Sequence, residues 1–529
     1  AGNRPKLTVP LGTVKGRNAA TPDIQVRQSV LTLSARKCRS RYSREGLRSS
    51  CGHSHSVNNS SYFVIKLPYE DWLVLFQIKL NSFHIYYNFI PINRMHVHWT
   101  QLVIAAHAVI LCVTATASEL IVGPDEYLTA VRNLHPGDTL RLRAGVYTKG
   151  LPIRYINGTQ DEPITITGPQ TGEPAIFLAR KRQNTVSIVN SSYVTIRNLI
   201  LDGQGIPVDA IKAEGYSGWA HNITIDNLVI TGHGANQQTV GISTKCPAWG
   251  WSIRHNVIIG AGTGIYLGNS DGTEPFFAGL IEHNLVTDTL GYNLQIKHQN
   301  GRILQEKPVT IIRHNVFSKA MNASLLPDAR PNVLVGHWPS SGPGATDHYE
   351  IYGNLFYQNP NEALFQGEGN IAIYNNIFIN DYGDAIHIQP HNDIPKTIDI
   401  FFNTVLALDQ GIVIRTAEYN HPFEQTVIGN AVFANNPILG VSSAHNTVGN
   451  YLDAQQFLTQ PIGNIGELNL LPKPNRVRGL PLNEQNISRY ENWNRDFDGN
   501  YRDMHTRGAY GTSKSAPLWQ LQFELKPVQ

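Results

Sequence analysis

Cysteine is scarce. Cys38, Cys51, Cys112 and Cys246 are the four in 529 residues, and no two stand in a CxxC pair. This spacing offers no thiolate zinc knuckle. Charge is thin as well: 16% of residues are Asp, Glu, Lys or Arg, against 41% hydrophobic. That is lean for a globular enzyme and ordinary for stacked strands, which bury most of their side chains. The formal charge of +3 is uneven, because residues 1–60 carry eleven Lys or Arg against Asp23 and Glu45. The remainder is near neutral and has no basic stripe, so no nucleic-acid partner is expected. The apolar run 102–117 is only 16 residues long, short of a membrane span.

That run follows Met95 and ends in Ala115-Thr116-Ala117, small residues where a signal peptidase reads. Residues 95–117 are therefore read as a secretory signal peptide, cleaved before Ser118, with a secreted or periplasmic product and no stable membrane insertion after removal. Residues 1–94 show no sustained periodicity. They are read as a non-native upstream extension or a disordered region. In the processed chain only Cys246 remains, so stability must come from stacking.

Internal repetition decides the architecture. A run of alternating β-branched residues, an Asn and two or three apolar residues recurs as VTIRNLIL (194–201), ITIDNLVI (223–230), SIRHNVII (252–259), LIEHNLVT (280–287) and onward to VIGNAVFA (427–434). The aligned asparagines are Asn198, Asn227, Asn256, Asn284, Asn315, Asn354, Asn376, Asn403 and Asn430, spaced 29, 29, 28, 31, 39, 22, 27 and 27 residues apart. Period-two alternation is strand grammar, and Gly, Asn and Asp between the runs supply turns. The pattern predicts an all-β fold: a single-chain right-handed parallel β-helix of about nine coils over residues 118–450. Buried asparagines should form a ladder from coil to coil. In GPDEYLTAVRNL (123–134), Tyr127, Leu128, Val131 and Leu134 share one helical face, which suits a cap helix on the first coil. Residues 451–529 lose the period and are read as an irregular capping tail over the far end.

PGDTLRLRAGVY (136–147), the Asn-marked coils and the terminal DFDGNYR…GAYG resemble the pectate-lyase-like superfamily of right-handed β-helix proteins, in style nearest the chondroitinase B and alginate lyase group. The resemblance covers about 118–511. It implies a secreted protein, expected as a monomer, whose partner is an acidic polysaccharide. The activity implied is that of a polysaccharide lyase or uronate epimerase. A non-catalytic glycan-binding surface or matrix protein is the alternative, with a purely structural solenoid behind it, because one fold hosts many functions.

A second strand in each coil places Ile211, Ile242, Ile265, Leu294, Val333, Leu364, Ile386 and Ile412 inward. One outward column then reads Glu214, Lys245, Gly268, Lys297, Gly336, Gly367, Gln389, Arg415. The turn column beside it reads His298, His337, Glu368, Pro390, with His391 next to it and His387 in the neighbouring outward column. At a coil rise of about 4.8 Å, this patch spans about 20 Å, the reach of several sugar rings. Trp338 adds an aromatic to the same face.

A lyase removes the proton beside a uronate carboxylate and expels the 4-linked sugar. That requires a base of lowered pKa and a cation that neutralises the carboxylate. The resemblance assigns the base to Lys297 in IKHQN (296–300). Arg330, His337 or Arg415 are the expected carboxylate partners, and His387 and His391 the acid or sugar contacts. His298, Trp338, Glu368 and Gln389 complete the expected substrate-binding set. Tyr292-Asn293 stand where the group's acidic metal-binding residues are expected. A calcium ion bridging an acidic sugar is expected ahead of zinc, although no dense carboxylate cluster announces it. Hydrolysis would need paired Asp residues on adjacent coils, and Glu368, Asp384 and Asp393 do not make that pattern.

Overall fold

The computed structural model describes the backbone of residues 60–66, 72–79 and 85–91, and residues 117–528 apart from 217, 303–307, 416–422 and 512–515. Two compact units result, 1–114 and 115–529. In the first, strands Ser60–Lys66, Trp72–Lys79 and Ile85–Pro91 pair antiparallel. These strands form a three-stranded sheet within the segment read as an upstream extension or a disordered region. SSYFVIK, WLVLFQIK and IYYNFIP are dense in β-branched and aromatic residues, which suits strands without requiring a repeat. The expected signal segment, 95–117, lies almost entirely outside the described residues.

The second unit is a parallel β-helix. Its chain passes in turn through three sheets, and each strand pairs in parallel with its counterparts one coil before and after. The first sheet has eleven strands, from Leu151–Arg154 to Asn436–Leu439. That is two coils more than the asparagines mark, because the coils before residue 190 lack the motif. Inward residues such as Ile211, Ile242, Ile265, Leu294, Val333, Ile386 and Ile412 are fully buried. Each such side chain stabilises the stack by about 1.5–3 kcal/mol relative to exposure. No coil can bury this face alone, so the energy is shared between neighbours. The helix Tyr127–Arg132 caps the open first coil, with Tyr127 and Val131 buried and the Tyr127 hydroxyl donating to the Gly150 carbonyl at 2.6 Å.

The asparagine ladder forms with one correction. Asn256, Asn284, Asn315, Asn354, Asn376, Asn403, Asn430 and Asn446 stack, each Nδ2 donating to the next Oδ1 at 2.9–3.0 Å. Asn198 and Asn227 do not belong to this ladder. They stand one position earlier, at φ +57° and +54°, in register with His255, His283 and His314, which share that left-handed backbone. Leu228 occupies the ladder position, and its N–H donates to Asn256 Oδ1 at 3.0 Å. Asn tolerates a left-handed turn better than most residues, so two adjacent positions accept it and spacing alone does not separate them.

The tail runs back along the flank. Val477, Phe497, Tyr510, Trp519 and Leu521 bury against Leu355, Ile377, Leu406 and Phe433 on the outside of the third sheet. Leu482, Ile487 and Tyr490 bury against Tyr352, Tyr374 and Phe401 on the second. Polar ties fix it: Arg502 Nη2 to Asn375 Oδ1 at 2.8 Å, and Lys526 Nζ to the Gly353 carbonyl at 2.9 Å. Neither cluster includes an outward side chain of the first sheet.

Candidate functional site

The outer face of the first sheet therefore carries the candidate site. Pairing runs Ile242 to Ile265, Ile265 to Leu294, Leu294 to Val333, Val333 to Phe365, Phe365 to Ile386 and Ile386 to Ile412. Phe365, not Leu364, thus takes the inward position, and its coil slides by one residue. Leu364 is buried all the same, so burial pattern alone gives no hint of the slip. As a result Glu368, rather than Gly367, joins the edge column, which now reads Lys245, Gly268, Lys297, Gly336, Glu368, Gln389, Arg415. Gly336 is required there, since an added Cβ would lie 2.1 Å from the His298 amide nitrogen.

Glu368 is 1% exposed and organises one end of the patch. Its carboxylate accepts the backbone N–H groups of His391, Asn392 and Asp393 at 2.8–3.1 Å, and His337 Nδ1 lies 3.3 Å away. Burial pushes this carboxyl up, but the four donors overcome it and hold its pKa below the ordinary value. His337 stacks on His298 at 5.3 Å between ring centroids. Burial first, then His337, lowers the His298 pKa, so its ring is held neutral. A shallow depression opens beside them, lined by Leu334, Gln366, Glu368, Gln389 and His391 among others.

Lys297 stands half-buried one column position before Gly336. Burial lowers its pKa, and the Arg330 guanidinium lowers it further. Arg330 approaches from the opposite edge of the sheet, on the loop before Val333–Val335, where Nη1 donates to the Ala329 carbonyl at 2.6 Å. Beneath it the fully buried Lys319 donates to the Arg330 carbonyl at 2.7 Å. His387 lies in the inner outward column, 6% exposed, with Nε2 3.2 Å from Asp384 Oδ2. That contact is off the N–H line, so Nε2 is left without an aligned hydrogen-bond partner. Arg415 is exposed at the end of the column and helps hold the Asp384 carboxyl low.

Trp338 is not on this face. It is 1% exposed and stacks on Tyr349 at 4.6 Å inside the coil. The strand ends at Val335, so the alternation that would have turned Trp338 outward no longer applies. Sequence reasoning also passed over Lys245 and Tyr266. Lys245 stood in the predicted column and Tyr266 in TGIYLG; their proximity is what was not legible. Lys245 Nζ sits 3.3 Å from the Tyr266 ring centroid, and Lys297 Nζ 5.9 Å from the same ring. Lys319 gave no signal, because it lies in a loop between strands.

The carboxylates here do not fit a resident calcium ion. Glu368 is saturated by its donors, and Asp384 accepts the Gln410 N–H and faces His387. Among the described residues no three His, Cys, Asp or Glu side chains gather as a ligand set.

No family model matches the chain, and no curated protein matches it. Among solved structures it is similar to pectate lyase Pel9A (11% identity, TM-score 0.45, 76% of this chain and 98% of that one). It is also similar to an alginate lyase from Paenibacillus sp. str. FPU-7 (15%, 0.37, 63% and 97%) and to the A-module of the Azotobacter vinelandii mannuronan C-5 epimerase AlgE4 (15%, 0.38, 60% and 88%).

Proposed function

We propose that this chain acts on an acidic polysaccharide along the outer face of the first sheet, as a lyase or uronate epimerase. The observation that carries the reading is the basic cluster there: half-buried Lys297, whose Nζ lies 5.9 Å from the Tyr266 ring that Lys245 also overhangs at 3.3 Å, on a face that neither apolar cluster of the described tail includes. In its neutral form the Lys297 amine accepts the proton beside a uronate carboxylate. Arg330, His337 or Arg415 offsets the carboxylate charge as the carbanion develops. In a lyase the electron pair then forms a C=C bond and expels the 4-linked oxygen, which is protonated from His387 or solvent. In an epimerase the carbon is reprotonated from the other side. The protein is proposed to be secreted and monomeric.

The test is incubation with alginate, pectate and glycosaminoglycans, followed by the ultraviolet absorbance of an unsaturated uronate and by NMR for epimerisation. Turnover of one substrate is expected, with loss of at least about a hundredfold in Lys297→Ala, as for removal of a general base. A fully active Lys297→Ala variant would sink the assignment. Saturable binding with no product would favour the non-catalytic reading. That reading has support of its own, since Glu368 and His337 are engaged with each other and with the 391–393 loop.

A further inference from the structure

Three consecutive coils repeat a two-column pattern at one end of the patch. Ser243 and Lys245 lie on the first, Tyr266 and Gly268 on the second, and Gln295 and Lys297 on the third, in direct register. The middle position of the edge column has no side chain. Gly268 has φ +85°, and a Cβ there would meet Lys297 Cβ at 3.4 Å. Two lysines therefore flank a notch whose wall is the Tyr266 ring. Their α-carbons are two coils apart, about 10 Å, near the length of two sugar residues.

Lys245 has little to neutralise it. Its Nζ sits over the Tyr266 ring, and among the described residues its one hydrogen-bond contact is the Gly268 carbonyl at 3.4 Å. The charges that act on it are Lys212 and Lys297, both repulsive, and Asp209. Asp209 is committed elsewhere, to Lys212 Nζ at 3.2 Å and to the Val240 N–H at 2.9 Å. Glu214, one coil back in the same column, is held by Asn184 and Ser187. Two further titratable groups border the notch: burial raises the Tyr266 pKa to about 12, so the phenol stays neutral, and Glu274, whose carbonyl lies beside Gly268, has its carboxyl pKa raised by burial and then by Asp271. Beside this cluster the Ser243 hydroxyl is fully buried with no hydrogen-bond partner. Among the described residues no carboxylate pairs with Lys245 or Lys297. The notch is lined by two amines, walled and short of an anion.

We propose that Lys245, over Tyr266 and the Gly268 notch, is a binding subsite for the carboxylate of a uronate neighbouring the one at Lys297, and that it takes up a proton as that carboxylate binds. The proposal rests on the reading of the chain as an acidic-glycan protein. Burial, with Lys212 and Lys297 adding to it, brings the free Lys245 pKa down to about 7. Near neutrality much of it is thus an uncharged amine. An incoming carboxylate favours the charged form, raises the pKa and draws a proton from solvent. By the same linkage, affinity through Lys245 is full below pH 7 and falls as pH rises above it.

The test is calorimetric titration of the full chain with hexamers of mannuronate and galacturonate in EDTA, alongside their carboxyl-reduced counterparts. Buffers of different ionisation enthalpy report the protons exchanged. For an acidic hexamer at pH 8, uptake close to one proton is expected, with affinity falling about tenfold from pH 6 to pH 8. Lys245→Arg should bind with no uptake and a flat profile, because guanidinium stays charged. Lys245→Gln should bind weakly at every pH. Lys297→Gln should keep most of the uptake, since burial is the main cause of the lowered Lys245 pKa. Acidic-hexamer binding with no proton uptake, or uptake that survives in Lys245→Arg, would each overturn the subsite while leaving the acidic-glycan reading in place; equal binding of the carboxyl-reduced hexamer would overturn both. Failure of every hexamer to bind the wild-type chain would overturn both.

Discussion

At the residue scale, the face shows how one side chain can be functional in type and structural in role. Glu368 reads from its composition and column as a sugar contact, yet its oxygens are filled by three backbone amides and a histidine. Its first effect is to fold the 391–393 loop over the depression. Glu368→Gln should destabilise the protein by about 2–3 kcal/mol, the scale of charge-assisted bonds lost in a buried site, as read by urea unfolding. The pH sign follows from the direction of its shift. A carboxyl held below its unfolded pKa stabilises the fold above that unfolded value, and the contribution is lost as pH falls through the folded one. Acid unfolding of the wild type should therefore be steeper than that of Glu368→Gln. A variant as stable as the wild type, with an unchanged acid limb, would show that the loop does not depend on the clamp.

At the element scale, the coil is the unit and the asparagine ladder ties one coil to the next. Each inner rung satisfies several backbone groups at once. Asn354, for example, accepts the Asn315 N–H at 2.8 Å, donates to the Ile312 carbonyl at 2.8 Å and donates to Asn376 Oδ1 at 3.0 Å. Asn354→Ala should cost about 3 kcal/mol or more, because buried partners are left unpaired on both sides. Leu228→Asn, at the ladder position of a coil that lacks the rung, should stay within about 1 kcal/mol, since the new amide can meet Asn256. Chemical denaturation of both variants checks the contrast; equal costs would mean that the ladder is packing and not hydrogen bonding. The same scale explains what was legible. Repeats of 27–31 residues marked most coils. A one-residue slip at Asn198 and Asn227, and another at Leu364, stayed hidden because the competing residues there are equally suited to either position.

At the scale of the whole β-helical unit, the tail decides which face is free. It covers the outside of the second and third sheets and ends on a histidine stack. His255, His283 and His314 lie 5.0–5.5 Å apart, His283 Nδ1 meets the Lys526 carbonyl at 2.8 Å, and Lys526 Nζ lies 3.3 Å from His314 Nδ1. Burial drives the His283 and His314 pKa values down, and brings Lys526 to about 7. The unfolded chain thus binds more protons here than the folded one, below the usual histidine pKa and again between about pH 7 and the ordinary lysine value. Docking of residues 516–528 should weaken as pH falls and strengthen as it rises. Hydrogen exchange of that segment between pH 5 and pH 9, corrected for intrinsic rates, reads this directly. A protection profile flat with pH would rule it out.

The sequence by itself determined the fold class. A parallel coil must repeat its inward apolar residues and its turns at nearly constant spacing, and that regularity is written linearly in the chain. The cap helix was legible for the same reason, since its apolar face has a local period. The course of the tail and the membership of the site were decided only in three dimensions. Residues 451–529 carry no period to show where they pack, and the tail's ties to the coils span more than a hundred residues, as between Arg502 and Asn375. The pairing of Lys245 and Lys297 about Tyr266 depends on register across three coils, and the saturation of Glu368 depends on a loop folding back. Both are set by backbone contacts between coils, and no short stretch of sequence encodes them.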